Sequence, residues 1–145
     1  MPKRNIELLT KVRDLIEADQ KLLDMSLWAR IPFDSVDTSE GPIKVECGTT
    51  GCIAGWAVQQ AGDKLFVQSE DRHLDYDTGE AFYSVSHSVA KNGRVCDIEV
   101  RARKLLGLTR DEADYLFFVE NNQVVDLLSA LIDGKDILPE GWTDD

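Results

Sequence analysis

Residues 47–57, with the sequence CGTTGCIAGWA, decide the fold because they predict the start of a buried central helix. The hydroxyl of Thr49 or Thr50 can cap the first turn, and Gly62 can end the helix. Almost no residue between these caps is charged, and a helix that is apolar on nearly every side is stable in water only when it is buried on most sides. The apolar residues of this helix are Cys52, Ile53, Ala54, Trp56, Ala57, Val58 and Ala61.

Small residues along the same helix predict close contact with neighbouring backbone. Gly51 and Gly55 are about one helical turn apart. Because they have no side chain, another segment can approach the helix closely at these two positions. We therefore interpret the stretch as a structural motif, whose members are Cys47, Gly48, Thr49, Cys52, Gly55 and Trp56.

An amphipathic helix is predicted before this motif. Leu9, Val12 and Ile16 recur on one helical face within residues 5–24, and charged residues occupy the opposite face. Residues 34–42 are polar and include glycine and proline, which is typical of a loop.

Three more helices are predicted in the second half of the chain. Asp97 can cap a helix that stops at Gly107. Thr109 and Glu112 have the spacing of a capping box and so begin the next helix. The last helix covers about residues 123–132.

The segment between the motif and Asp97 has a different character. Residues 63–96 are rich in β-branched and aromatic residues, and turn sequences at 77–79 and 92–93 interrupt them. We expect two or three short antiparallel strands here. The predicted fold is therefore α+β: a mostly helical single domain with about five helices, a buried central helix and a small two- or three-stranded antiparallel sheet.

Length and composition predict one domain over residues 1–145. The chain has 145 residues, of which 43% are apolar, and this is enough for one ordinary core. We expect residues 133–145 to form a loosely ordered tail, except where Ile137 or Trp142 docks. No apolar run approaches the ~18 residues of a membrane span, and no signal-peptide core is present. A cytoplasmic protein without a cofactor is expected.

The charge of the chain restricts its partners. It contains 27 acidic and 16 basic residues, which gives a net charge of −11. Such a charge repels nucleic acid and anionic membranes and favours basic partners. We therefore expect no direct binding to nucleic acid or to membranes.

The motif and the later helices carry a family resemblance. CGTTGCIAGWA, together with the downstream sequence LLGLT and a helix ending in Leu-Phe, resembles a family of small uncharacterised proteins of bacterial, especially actinobacterial, genomes and their phages. The resemblance covers most of residues 24–118. It implies a phage or mobile-element setting, and thus the host cytoplasm for a phage-encoded protein, but it implies no activity or ligand.

A cysteine hydrolase is one function that the motif could serve. Cys52 at a helix N-terminus would be the nucleophile, His87 the base and Asp97 the orienting acid. Against this function, no glutamine stands near Cys52 as an oxyanion donor, and Trp56 lies four residues beyond the cysteine instead of next to it. We favour a non-catalytic protein.

A zinc site is a second possible use of the cysteines. Cys47 and Cys52 are five residues apart, and Cys96 with His73 or His87 could complete a four-ligand set. The chain lacks a second closely spaced ligand pair, and a buried cysteine commonly packs as a small apolar residue. We therefore expect no metal.

The charge and the helix pair around LLGLT suggest two further alternatives. A helix-turn-helix that binds DNA is disfavoured because the second helix is acidic. An acidic surface that mimics DNA and inhibits a nucleic-acid-binding protein agrees better with the charge.

Binding to a host or phage protein is the function that we favour, because no motif for nucleotide, metal or nucleophilic chemistry is complete. The candidate contact residues are the aromatic residues Trp28, Tyr83 and Trp142, since aromatic side chains often anchor interfaces. The structural alternative for Trp28 and Tyr83 is that they belong to the core.

Overall fold

The computed structural model describes residues 3–45 and 48–141, which form five α-helices and eight strands. The helices are α1 (Ile6–Ala18), α2 (Ile53–Gln60), α3 (Ile98–Leu106), α4 (Arg110–Leu116) and α5 (Val124–Ile132). The strands are β1 (Ala29–Pro32), β2 (Ile43–Val45), β3 (Thr50–Gly51), β4 (Lys64–Val67), β5 (Arg72–Leu74), β6 (Ala81–Val85), β7 (His87–Val89) and β8 (Val95–Asp97). None of the described helices has the length and apolar content needed to cross a membrane.

The strands form two antiparallel four-stranded sheets, with the orders β3-β1-β6-β5 and β2-β4-β7-β8. The chain is therefore α+β, but the expectation of a mostly helical domain with one small two- or three-stranded sheet is wrong. Three strands lie outside the segment in which strands were expected. They are β1, β2 and β3: β1 pairs with β6 and β2 pairs with β4, whereas β3 pairs with β1.

The missed strands are too short to show a pattern. β1 has four residues, of which Ala29 and Ile31 are buried and Pro32 is exposed, and β3 has only two residues. A period of two cannot be recognised over so few positions. Tertiary pairing therefore decides these strands, and intrinsic preference has little weight.

The helix-capping predictions in the second half of the chain are confirmed. The Asp97 carboxylate accepts hydrogen bonds from the backbone of Glu99 and Val100, and Gly107 ends α3 with a φ of 69°. In α4, the Thr109 hydroxyl and the Glu112 carboxylate form both bonds of the capping box.

The first helix is shorter than its apolar pattern predicts. α1 ends at Ala18, and Asp19 takes an extended conformation and caps a 3-10 turn, Gln20–Leu22, by accepting from the Lys21 N–H. This turn changes the direction of the chain. As a result, the Leu22 carbonyl accepts a hydrogen bond from the Trp56 indole, with an N–O distance of 2.8 Å.

α2 occupies the centre of the core, as its lack of charge predicted. Six of its eight residues are buried, and it packs against α1 and α3. Its start was predicted wrongly, because the N-cap is Cys52 instead of a threonine. Thr50 belongs to β3, and the Thr49 N–H and hydroxyl both donate to the Arg30 carbonyl.

The tail was expected to be loosely ordered from residue 133 except at docking residues. Ile137 is 8% exposed and belongs to the main apolar core, and the Lys135 N–H donates to the Ala130 carbonyl. Trp142 lies outside the described residues.

Gly55 allows the closest approach of the chain to α2. A Cβ atom added at this glycine would overlap the carbonyl oxygen of Trp28 and lie 2.9 Å from its carbonyl carbon. The neighbouring Gly51 is similar, since its Cβ would lie 2.6 Å from the same oxygen. Both predicted close contacts therefore involve a single peptide group.

The first prediction concerns this contact. Gly55→Ala should lower the free energy of unfolding by about 1–3 kcal/mol or more, because backbone atoms must move to admit the methyl group. Helix propensity acts in the opposite direction and favours alanine by about 1 kcal/mol. Urea denaturation measures the net change in the free energy of unfolding that results from both effects.

Gly79→Ala is the control, because a Cβ at Gly79 meets no atom within 4 Å and the substitution adds only the strain of a φ of 75°. A Gly55→Ala protein that is as stable as the wild type, or more stable, would contradict the contact.

Candidate functional site

The motif holds the segment of residues 22–28 against α2. The Asp24 N–H donates to the Gly51 carbonyl at 2.9 Å, and the Cys52 N–H donates to the Leu27 carbonyl at 2.9 Å. The Cys52 thiol lies 3.9 Å from the Trp28 carbonyl oxygen, in the geometry of a weak hydrogen bond. We call residues 22–28 the clamped segment.

The other side of the clamped segment is held by Asn121, which lies between α4 and α5. The Asn121 side-chain oxygen accepts from the Met25 N–H at 3.0 Å, and its side-chain nitrogen donates to the Leu23 carbonyl at 3.2 Å. One amide thus satisfies both a donor and an acceptor of the segment. The clamped segment therefore forms a ridge that is hydrogen-bonded to two parts of the fold.

An apolar cavity of about 260 Å³ lies on one side of this ridge. The Trp28 ring meets the rings of Phe117 and Phe118 edge to face, with centroid distances of 6.3 Å and 5.8 Å. Phe117 is buried, whereas Phe118 is 64% exposed. We call this cavity the Trp28 pocket; it is lined by Met25, Ser26, Leu27, Trp28, Cys52, Phe117 and Phe118.

A larger cavity of about 530 Å³ lies on the other side of the ridge, over the sheet that contains β1, β6 and β5. The Arg30 guanidinium covers the Phe82 ring at 4.1 Å from its centroid, and the His73 ring lies 6.0 Å from the same ring. We call this cavity the hairpin pocket. It is lined by Asp24, Ser26, Leu27, Arg30, His73, Leu74, Asp75, Tyr76, Asp77, Phe82 and Ser84.

The turn between β5 and β6 gives the hairpin pocket an acidic rim. The Asp75 carboxylate accepts a hydrogen bond from the Asp77 N–H at 2.9 Å and pairs with Arg30 at 3.5 Å. These interactions lower the pKa of Asp75, and the backbone N–H of Asp77 is the largest cause. The carboxylates of Asp24 and Asp77 line the same cavity.

The two pockets form one continuous surface, because Ser26 and Leu27 line both of them. We call the Trp28 pocket and the hairpin pocket together the ridge surface. It combines exposed aromatic and aliphatic side chains with a carboxylate rim. Such a surface can bind an apolar side chain and hold basic groups beside it.

The candidate residues of the disfavoured cysteine-hydrolase alternative are not assembled for nucleophilic chemistry. Cys52 is 1% exposed, and burial raises the pKa of its thiol to about 11, so the thiolate needed for attack is disfavoured at neutral pH. His87 is bonded to the Ser86 hydroxyl, and Asp97 caps α3. No hydrogen bond between Cys52 and His87 occurs in residues 3–45 and 48–141.

The candidate ligands of the zinc alternative that the structure describes do not form a metal site either. Cys96 lies on β8, where it pairs across the sheet with Ser88, and its thiol contacts the Arg94 carbonyl. Cys47 lies outside the described residues. Among the residues that the structure describes, no group of three or more histidine, cysteine or acidic side chains could hold a metal ion.

The predicted contact residues have three different positions. Trp28 is half-buried and lines the Trp28 pocket. Tyr83 is 2% exposed, and its hydroxyl bonds to the Thr38 hydroxyl at 2.9 Å, so it belongs to the core and offers no surface to a partner. Trp142 falls outside the described ranges.

Sequence reasoning missed the most exposed apolar residues of the ridge surface. Phe118 lies beyond the end of α4, where helical periodicity no longer assigns a residue to a buried or an exposed face. Leu74 and Tyr76 had no signal either, since β5 has only three residues and Tyr76 lies in the turn that follows it.

Comparisons with family models, with curated proteins and with solved structures found no match to this chain. The family resemblance of the motif therefore stays a prediction, and the function is argued from the ridge surface.

The second prediction distinguishes packing from chemistry at Cys52. Iodoacetamide at neutral pH should modify the half-exposed Cys96 well before the buried Cys52, because the high pKa and burial of Cys52 both suppress its reaction. Peptide mass spectrometry over time gives the two rates separately.

Denaturant provides the control, since unfolding should bring both cysteines to similar rates. Preferential labelling of Cys52 in the folded protein would contradict the packing role and support a nucleophile.

Proposed function

We propose that this chain is a non-catalytic protein-binding module that uses the ridge surface. In this proposal it is a small phage or prokaryotic accessory protein that acts in the cytoplasm by binding a host or phage factor. The partner presents an apolar side chain with basic residues beside it.

The distribution of exposed apolar residues carries this proposal. Tyr76 is fully exposed, Phe118 is 64% exposed and Leu74 is 50% exposed, and these are the three most exposed large apolar side chains in the described part of the chain. All three line the ridge surface. A water-exposed domain rarely gathers such residues unless they are covered by a partner.

The Trp28 pocket supplies the shape of an anchor site. Its volume of about 260 Å³ is below the ~300–1,000 Å³ of sites for drug-sized ligands, so an inserted side chain suits it better than a whole cofactor. Aromatic residues form three of its walls: Trp28, Phe117 and Phe118. Interfaces obtain most of their binding energy from a few such buried anchors.

Charge supports a basic partner. The acidic rim of the hairpin pocket adds a local negative field to the net charge of −11. Opposite charge on the partner would speed association and suppress binding of acidic competitors.

The third prediction tests the ridge surface with matched substitutions. The tagged protein is used to capture partners from a bacterial lysate, and Phe118→Ser and Tyr76→Ser are each compared with the wild type. Each substitution should lower the affinity for a specific partner at least about tenfold, as expected for removal of an aromatic anchor. Titration calorimetry with the purified partner measures the change.

Ile6→Ser and Val100→Ser are the controls, because these residues are 41% and 44% exposed and line neither pocket of the ridge surface. Equal effects of all four substitutions would contradict the proposal. A nucleic-acid-binding partner whose affinity falls with salt but ignores the apolar substitutions would favour the acidic DNA mimic instead.

A further inference from the structure

We propose that the free edge of β5 binds an extended, basic segment of the partner as an additional strand. This inference rests on the proposed function, because β5 and the turn after it form part of the ridge surface. It specifies the conformation and the charge of the segment that the surface recognises.

β5 is an edge strand with an exposed side. It pairs only with β6 in its sheet, and its residues Arg72, His73 and Leu74 are all exposed. The next two residues after Leu74 in the sequence, Asp75 and Tyr76, line the hairpin pocket together with it. An added strand would therefore lie along the rim of the ridge surface.

The register of the hairpin shows which backbone groups point outward. The Asp75 N–H donates to the Glu80 carbonyl at 2.8 Å, so this position bonds toward β6. Hydrogen-bonded positions alternate along an antiparallel strand, and the N–H and C=O of Leu74 therefore point away from β6. Within the described ranges, no backbone bond from a loop or turn covers these two groups.

The other edge of the same sheet is closed. β3 is its terminal strand, and the outer side of Gly51 is occupied by Leu23 and by the Asp24 N–H, which donates to the Gly51 carbonyl at 2.9 Å. The clamped segment thus blocks one edge of the sheet, whereas the β5 edge leaves the Leu74 N–H and C=O open, and its Arg72 N–H already donates to the Ser69 carbonyl.

Charge determines which segment fits the open edge. Residues 70–80 contain five acidic residues and one arginine, and four of these six are exposed. A lysine or arginine of the added strand near the end of β5 would lie beside the carboxylates of Asp75 and Asp77, which follow this end, and an acidic strand would be repelled there. The acidic residues are Glu70, Asp71, Asp75, Asp77 and Glu80.

β8 provides a matched comparison on the second sheet. It is also an edge strand, and the same alternation, read from the Ala90 N–H bond to the Arg94 carbonyl, points the Val95 N–H outward. Val95 is 43% exposed, similar to Leu74, but the cavity beside it is lined by Arg94, Arg101 and Lys104. A basic strand is therefore expected at β5 and not at β8.

The experiment begins with a displayed library of random ten-residue peptides, selected against the wild-type protein. Selected peptides should be rich in lysine and arginine, with apolar residues at alternate positions. A synthetic copy of the best peptide is then titrated by fluorescence anisotropy into the wild type and into Leu74→Pro, Leu74→Ser and Val95→Pro.

Leu74→Pro should lower the affinity for the peptide about tenfold or more, because proline removes the outward N–H and its hydrogen bond to the peptide. Proline at this position leaves the ladder to β6 intact, since only an outward N–H is lost. Leu74→Ser removes the same side chain but keeps the N–H, so its effect should be clearly smaller. Val95→Pro should bind the peptide like the wild type.

A second measurement does not depend on the folding of a variant. In the wild-type protein, the exchange of the Leu74 amide hydrogen, followed by NMR, should slow when the peptide binds. Unchanged exchange, equal binding by Leu74→Pro and Leu74→Ser, or a library that yields no peptide would each overturn the strand-addition proposal.

The remaining outcomes separate this inference from the proposed function. If Phe118→Ser abolishes partner binding while Leu74→Pro does not, the ridge surface binds its partner without an added strand, and only this inference fails. Selected peptides with apolar residues three and four positions apart would show a helical ligand and overturn it as well. If the wild-type protein is a dimer and the Leu74→Pro variant is a monomer, a second copy of the chain occupies β5. This result would overturn the proposal that a basic partner binds there.

Discussion

The packing of the Trp28 carbonyl against Gly55 is the contact on which the rest of the structure depends. A side chain at Gly55 would overlap this carbonyl group, so only glycine lets the clamped segment lie directly on α2. That approach brings the Cys52 N–H to the Leu27 carbonyl and the Trp56 indole to the Leu22 carbonyl. Polar backbone groups that would otherwise be buried without partners are thereby satisfied.

The same contact connects the core to the surface. The clamped segment is the ridge between the Trp28 pocket and the hairpin pocket, and its position determines the shape of both. Cys52 and the glycines of the motif thus act on the proposed binding site through packing. Cys52 has the high pKa of a buried thiol, which agrees with this role and disfavours a nucleophile.

The sequence predicted the parts of the fold that depend on local chemistry. Asp97 begins α3 and the pair Thr109 and Glu112 begins α4, through side-chain hydrogen bonds to backbone N–H groups. Gly107 ends α3 with a positive φ. The short strands β1 and β3 could not be predicted, because pairing with distant segments stabilises them. Trp28, a candidate contact residue from the sequence, lines the Trp28 pocket, whereas Leu74 and Tyr76 of the hairpin pocket were not named from the sequence.

Native-state hydrogen exchange at the clamped segment tests the central claim most directly. If the motif is a packing device, the Cys52 amide and the Trp56 indole N–H should exchange only through global unfolding, with protection close to that of the α2 core amides. Exchange of these two hydrogens at the rate of unprotected groups, while the α2 amides stay protected, would show that the segment is not held and would contradict the account.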